Sequence, residues 1–465
     1  MEFKELDYRS PYIKKKGFAL FLWCCFYKVL LDISYFWIMK ENYTYYKFLC
    51  DFNGGVYALS WGIFLIITLI FVATYKRAFH KPSFLISFVL YLLSFVPFTS
   101  LMAGGYDISF GLGNGLYWLI LALLVFLFNR HPKPEIIDNN EKPTTFSKAF
   151  LVICGVISIA IVFYMSLMYR GFSFNFSLDN VYDLRSEAAS IYSNAPTVFV
   201  YLFTWSRTIN TVLLAYCLVN KRIKTSLLFI VTQLLSFSFD GLKTTLFLML
   251  GTIAICIVFR RMKKEKVPLF LAGILSFAIL ASILEYAVLH SYKITTYLSF
   301  RTLFLPNMIG SWFYDFFLTH EPDYFRSGFM RYFGFESPYS SMDIDYLISG
   351  IYFGNFQARA NNGLLSDAMR NFGFAGIFIM PILIVIYFKI LDKFSTRLDQ
   401  RIIITLALVF GIYFSNNTFV IILVTEAGLL LLPLFYFMNR RVVLVDEGGY
   451  VLIRQNKQIL DESLA

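Results

Sequence analysis

Apolar residues in this chain follow neither the 3.6-residue stripe of a half-buried helix nor the alternation of a half-buried strand. They come in long, nearly continuous runs. A helix that crosses a bilayer needs roughly twenty such residues, and the chain supplies runs of about that length repeatedly. Run 1 covers 17–39 and follows Lys14-Lys15-Lys16. Run 2 covers 55–74 and ends at Tyr75-Lys76-Arg77. Run 3 covers 83–103, and run 4 covers 112–128 and ends at Asn129-Arg130-His131. A polar, proline-containing linker occupies 132–147. Run 5 is 149–168, and run 6 is 197–219, before Lys221-Arg222. Run 9 is 268–290, run 10 is 372–391, and runs 11 and 12 are 402–414 and 418–438, joined by Ser415-Asn416-Asn417.

The stretch 226–259 is apolar except around Asp240-Gly241-Leu242-Lys243, and it has basic residues on both flanks. Basic residues mark the cytoplasmic turns of a polytopic protein, so the chain must leave and return within it. This predicts two short helices, runs 7 and 8, meeting at 240–243. Broken helices of this kind present their ends to a ligand.

The pattern predicts an all-α polytopic membrane protein, a single integral membrane domain over 1–465 with about 12 transmembrane helices. Both termini are expected in the cytoplasm, with a first outer loop at 169–194, a large outer loop at 291–371 and an inner tail at 439–465. Every expected inner turn is basic, whereas the short outer turns 104–111 and 415–417 hold no Lys or Arg. Within the large loop, 297–318 is apolar enough to suggest a further span. It carries Arg301, Pro306 and Asp315, however, and one more crossing would put 389–401 on the wrong side. A helix lying in the outer interface fits better.

Composition agrees. The chain is 58% hydrophobic, 19% aromatic and 15% charged, with a mean hydropathy of +0.63, whereas soluble domains are about a quarter charged. The net charge of +11 reads as a topology signal rather than a nucleic-acid surface. The first run is too long for a cleavable leader. The six cysteines show no metal or redox spacing and read as small apolar residues.

Phosphate-binding, dinucleotide, zinc-protease and nucleophile-elbow motifs are all missing. The four histidines do not cluster, and neither metal nor cofactor is expected. Asp343-Ile344-Asp345 has the spacing of a paired acidic motif, but it sits late in the large loop and reads as a solvated turn. The positive signal is basic residues on the outer side, where the charge rule does not call for them. They are Arg170 and Arg185, Lys243 at the helix break, and Arg301, Arg326, Arg331, Arg359 and Arg370 in the large loop. A guanidinium fork matches phosphate oxygens and never deprotonates, so the set points to an anionic ligand. For single members a salt bridge is the competing reading, with Asp183 and Glu187 beside Arg185 and Asp367 beside Arg370. Lys243 begins a short helix whose free N–H groups attract anions; a lysine reaching for the interface is the alternative. Ionisable residues inside spans are costly. Lys28 and Asp32 can pair on one helix face. Arg207 needs a partner, and Glu285 and Glu426 are candidates, either as structural counter-ions or for general base work.

Several motifs resemble the oligosaccharide repeat-unit polymerases of bacterial surface polysaccharides, the Wzy or O-antigen polymerase family. They are Val181-Tyr182-Asp183-Leu184-Arg185, Ser238-Phe239-Asp240-Gly241-Leu242-Lys243, and Phe300-Arg301-Thr302-Leu303-Phe304-Leu305-Pro306 with Tyr314-Asp315-Phe316-Phe317. At the exit of the large loop come Asn362-Gly363-Leu364-Leu365-Ser366-Asp367-Ala368 and Asn371-Phe372-Gly373-Phe374-Ala375-Gly376. The resemblance implies a metal-independent, GT-C-like glycosyltransferase of the bacterial cell membrane, acting at the outer leaflet in capsule or O-antigen synthesis. It would transfer a growing glycan, with inversion, from undecaprenyl diphosphate to a lipid-linked repeat unit. A chain-length regulator and a flippase are its implied protein partners. By position, Arg185 matches the family's first-loop arginine, and Arg301 and Arg359 match those of the second loop; Lys243 joins them as a diphosphate contact. Asp183, Asp240 and Asp367 are the candidate general bases. A flippase or exporter of lipid-linked oligosaccharides, or a polysaccharide ligase, is the alternative.

Overall fold

The computed structural model describes residues 11–130, 145–171, 181–360, 363–396, 398–438, 442–445 and 451–454. Most of the expected linker at 132–147 and the middle of the first loop lie outside them. Each of the twelve apolar runs folds as helix. Among the described residues, nine helices are long and apolar enough to cross a membrane. The helices of runs 8, 11 and 12 are shorter: Lys243–Val258, Gln400–Asn416 and Gly428–Phe437. The protein is therefore an all-helical, multi-pass membrane body. Its tail adds a small antiparallel hairpin, β1 (Val442–Val445) with β2 (Val451–Arg454).

In chain order the helices are α1 (Pro11–Ile33), α2 (Gly54–Ala78), α3 (Pro82–Met102), α4 (Ile108–Phe128), α5 (Thr145–Arg170) and α6 (Val181–Asn194). Next come α7 (Thr197–Val219), α8 (Ile223–Asp240), α9 (Lys243–Val258), α10 (Val267–Leu289) and α11 (Leu305–Thr319). The last five are α12 (Ile344–Phe353), α13 (Leu365–Phe372), α14 (Gly376–Phe394), α15 (Gln400–Asn416) and α16 (Gly428–Phe437). Helix α3 is the centre. Nearly all of it is buried, and it packs against α14 and α15. Helices α1 and α10 pack side by side, while α7 joins α5 and α8 to α9 and α15. Lipid-facing positions account for exposed apolar side chains such as Val152, Val156, Leu250 and Ile257. In a bilayer that exposure costs nothing, because acyl chains replace water.

Among the described residues four π turns occur, at Ser34–Met39, Tyr91–Phe95, Thr296–Phe304 and Ile421–Thr425, and the first three lie together. A π turn breaks the regular ladder and is frequent at functional sites. Here the first three meet one another. Ser34 and Ser299 pair through their hydroxyls at 3.3 Å. Asn307, just past the third turn, donates to the carbonyl of Ser94 in the second at 3.1 Å. A freed carbonyl inside a membrane protein must find such a donor. The expected interfacial stretch 297–318 is helical, the third π turn running directly into α11. Phe300, Leu303, Phe304, Phe313 and Phe317 are buried beneath it, and Arg301, Thr302 and Asp315 face outward.

Charges inside the bundle are partnered, as burial demands. Lys28 forms an ion pair with Asp32 and donates to Ser100 at 3.2 Å. Asp32 also accepts from the Tyr57 hydroxyl at 3.0 Å.

The turns sort to two ends. Tyr75 donates to the carbonyl of Glu265 at 2.7 Å, Asp392 caps Ser83 at 2.7 Å, and Lys16 pairs with Glu265 at 3.2 Å. That end gathers the basic turns. At the other end Asp51 N–H donates to the Gly104 carbonyl at 3.0 Å, and Tyr43 bonds Thr296 at 2.6 Å. This second end carries the long 291–371 insertion.

Close backbone packing at that end depends on Gly376. A Cβ there would lie 2.1 Å from the carbonyl oxygen of Ala368. Gly376→Ala is expected to cost about 1–3 kcal/mol through overpacking. Thermal unfolding in detergent should show a lowered midpoint.

Candidate functional site

The described residues of 320–372, with Thr418, Val420 and Ile421, line a cavity of about 610 Å³ at the insertion end of the bundle. Its anchor is Asp323, which is fully buried. The carboxylate accepts from the Ser327 N–H (3.1 and 2.9 Å), the Ser327 hydroxyl (2.6 Å) and the Ser337 hydroxyl (2.5 Å). Its own N–H donates to the carbonyl of Arg370 at 2.7 Å. Such charge-assisted bonds offset the cost of burying a carboxylate. They also hold two bulky residues in the left-handed region, Tyr324 (φ 51°) and Phe325 (φ 61°). Backbone strain of this kind persists only where surroundings over-determine it, and it clusters at ligand sites. The Phe325 N–H is fixed by the side chain of Asn371 at 2.9 Å.

The cavity floor is a four-residue ion network. Asp343 is exposed, as expected, but it caps the N-terminus of α12, with Asp345 in the first turn of that helix. Arg359 reaches Asp343 at 2.7 Å and Asp345 at 3.8 Å. Arg370 reaches Asp345 at 2.9 Å and donates to the Ser327 hydroxyl at 3.0 Å. Burial raises the proton affinity of Asp345; Arg370 opposes this and Asp343 adds to it. Arg326 pairs with Glu321 at 2.7 Å. Arg331 stands exposed at the rim, and among the described residues no carboxylate pairs with it. Three of the five large-loop arginines thus have internal counter-ions. The expected partner of Arg370 was Asp367, but Asp345 takes that place. Helix α13 directs Asp367 inward, where it accepts from Phe419 N–H and Asn371 Nδ2, both at 2.7 Å. Asp367 is therefore a support beneath the cavity, and its partner Asn371 lines the wall.

A second cationic place lies where α9 begins. The helix break appears where the sequence predicts it: Gly241 adopts φ 66° and caps α8, and Lys243 opens α9. Lys243 Nζ lies 5.6 Å from the centre of the Tyr297 ring, and Arg301 Cζ lies 5.9 Å from it. Neither cation pairs with a carboxylate among the described residues.

The other candidates sit elsewhere. Asp240 forms a buried ion pair with Arg207, and Tyr192 bonds both, at 2.9 and 3.0 Å. The remaining oxygen of Asp240 accepts from Leu242 N–H at 3.1 Å. Asp240 is the counter-ion that Arg207 required, and both of its oxygens are taken up by Arg207, Tyr192 and Leu242. Glu426 lies within electrostatic reach of Arg207. It sits at a break in run 12, between a π turn and α16, where Ala427 has φ 61°. Arg170 pairs with Glu187 and donates to the carbonyls of Leu184 (3.0 Å) and Phe239 (2.7 Å), tying α6 to α8. Glu285 caps the chain after α10, accepting from Ser291 (2.8 Å) and Ile294 N–H (2.8 Å). Arg185 is on the exposed side of α6. The Asp183 side chain lies outside the described residues.

Among the cavity residues absent from the sequence reading are Asp323, Ser327, Ser337 and Tyr339. The close spacing of Asp343 and Asp345 was the available signal for the acidic half of the floor. Nothing local marks Asp323, whose role comes from folding 321–340 back onto α13.

In comparison with known proteins, no family model matches the chain, and no curated protein and no solved structure matches it significantly.

Removing one partner of a buried ion pair costs about 3–5 kcal/mol, whereas an apolar replacement of both is often close to neutral. Asp240→Ala is expected to lower stability by that amount, and Arg207→Met with Asp240→Leu to restore most of it. Denaturation of the three variants in detergent checks this.

Proposed function

We propose that this protein is a membrane glycosyltransferase that polymerises lipid-linked oligosaccharide repeat units into a capsular or O-antigen-type polysaccharide. The observation that carries the reading is the cavity of about 610 Å³ at the insertion end, walled by Arg326, Arg331, Arg359 and Arg370 with acidic and amide partners. Its size is that of a small-ligand site. Its walls alternate fixed donors and acceptors, which suit sugar hydroxyls. The twelve helical runs are taken as twelve spans of a GT-C-like body. In this reading, which the charge rule supports, the basic end and both termini lie in the cytoplasm of a bacterial cell and the cavity lies at the outer leaflet.

In this reading the repeat units rest in the cavity and the undecaprenyl diphosphate of the donor lies along Lys243 and Arg301. Both cations are free of carboxylates among the described residues and flank one exposed ring. Helices α9 and α15 are neighbours, since a Cβ on Gly251 would touch Leu408, so Lys243 and the cavity residue Thr418 share an end of the bundle. Fixed cations neutralise the charge that develops on the departing diphosphate, as a metal would. The acceptor hydroxyl attacks the anomeric carbon from the opposite face, which inverts it. Of the carboxylates facing the cavity, Asp345 is the one whose raised proton affinity suits it to take the hydroxyl proton. A flippase would supply the repeat units and a chain-length regulator would limit the product.

Purified protein given lipid-linked repeat units should yield a ladder of longer lipid-linked glycans; unchanged single units would overturn the reading. Lys243→Ala and Arg301→Ala should each lower elongation about a hundredfold or more while unfolding midpoints stay put. Near-normal ladders would remove the diphosphate role.

A further inference from the structure

The rim of the cavity carries an exposed aromatic surface that the proposed reaction does not use. Residues Phe329–Phe333 form a 3₁₀ turn ended by Gly334 at φ 84°. On and beside it Tyr332 is 85% exposed, Phe333 70%, Phe335 51% and Phe329 43%. Arg331 sits among them, exposed and without a carboxylate partner among the described residues. Large apolar rings left in water are costly, and contiguous patches of them mark contact surfaces.

The position of the turn points to what covers it. Rings step from Phe333 to Phe329 (6.1 Å), to Phe325 (6.2 Å) and to Phe372 (5.4 Å). Phe372 belongs to the apolar stretch Leu365–Phe394, which is long enough to cross a membrane. Just beyond it Phe374 and Phe378 are exposed on that span, 53% and 44%. The segment is held there rigidly: Asp323 N–H bonds the Arg370 carbonyl, and Pro322 lies 3.1 Å from where a Cβ on Gly373 would be. The aromatic surface is therefore continuous with the lipid-facing surface of the bundle. Aromatic rings accompanied by a cation are the composition of the headgroup layer, where an arginine reaches phosphate while its stem stays apolar.

We propose that the 329–335 turn is a membrane-surface anchor that inserts into the headgroup layer of the protein's own bilayer and contacts anionic phospholipid through Arg331. Phe329 and Arg331 also line the cavity. Its mouth is then held at headgroup level, open sideways to ligands carried on membrane lipids. The anchor stands independently of the polymerase reading.

The test uses spin labels at Tyr332→Cys and Phe333→Cys in the full chain, with Cys25 and Cys154, the two half-buried cysteines, replaced by Ser. A label at the exposed Gln357→Cys serves as reference. Proteoliposomes of phosphatidylcholine, with and without phosphatidylglycerol, are probed with oxygen and a water-soluble nickel chelate. Both turn labels should show an oxygen-to-nickel accessibility ratio severalfold above the reference. The ratio should rise further with phosphatidylglycerol, and Arg331→Glu should abolish that rise. Ratios equal to the reference in both vesicle types would overturn the anchor. Shielding that appears only on adding oligosaccharide would also overturn it, assigning the surface to glycan instead. Monodisperse gel filtration of each variant, and agreement between the two positions, guard against misfolding.

Discussion

A carboxylate removed from water must be given donors, and Asp323 takes three groups to satisfy it: the amide and hydroxyl of Ser327 and the hydroxyl of Ser337. Those bonds fold 321–340 into a compact cover. The Asp323 amide fastens the cover to Arg370, and the side chain of Asn371 fastens Phe325. Without that knot the Tyr324–Phe325 kink has nothing to hold it, and the cavity loses a wall. The ion network of Asp343, Asp345, Arg359 and Arg370 depends on the same knot, because Arg370 also leans on Ser327. Asp367 completes the support from below by fixing Asn371 and the Phe419 amide.

Deeper in the bundle the same rule operates with cations. Arg207 is tolerable in α7 because Asp240, at the end of α8, and Tyr192, on α6, close around it. The break between α8 and α9 is thus more than a turn. Gly241 allows it, Asp240 is held at it, and Lys243 is left at the head of α9 with no carboxylate of its own. The three π turns that meet around α3 follow the same economy of polar groups, since the Ser34 hydroxyl and the Ser94 carbonyl are each met by a side chain of a neighbour.

The arginines divide according to what folding brings beside them. As a set, the outer basic residues pointed to an anionic ligand. The structure neutralises Arg170, Arg326 and Arg359 with carboxylates 17, 5 and 16 residues away, and Arg370 with Asp345, 25 residues away. It leaves Lys243, Arg301 and Arg331 without such partners among the described residues. Paired arginines fix the shape of a pocket and present their remaining N–H groups, while unpaired ones keep their field. The distinction turns the candidate set into walls and contacts.

Runs of apolar residues, the break at Gly241 and the amphipathic stretch after 296 were legible in the sequence because each is a local matter. Hydropathy decides whether a segment enters lipid, and one glycine with a positive φ decides where a helix stops. The break at Glu426–Ala427 was not legible, since the flanking residues are as apolar as any span, and neither was the pairing of Arg207 with Asp240, 33 residues apart. The cavity belongs wholly to the tertiary structure. It exists because 321–340 turns back on α13 and because Asp343 and Asp345, which read locally as a solvated turn, are carried onto two arginines. Sequence by itself determined that this is an all-helical, multi-pass membrane chain and where its apolar helices lie. Only the fold decided which charges cancel and which remain to meet a ligand, because that depends on distances between residues that the chain order does not contain.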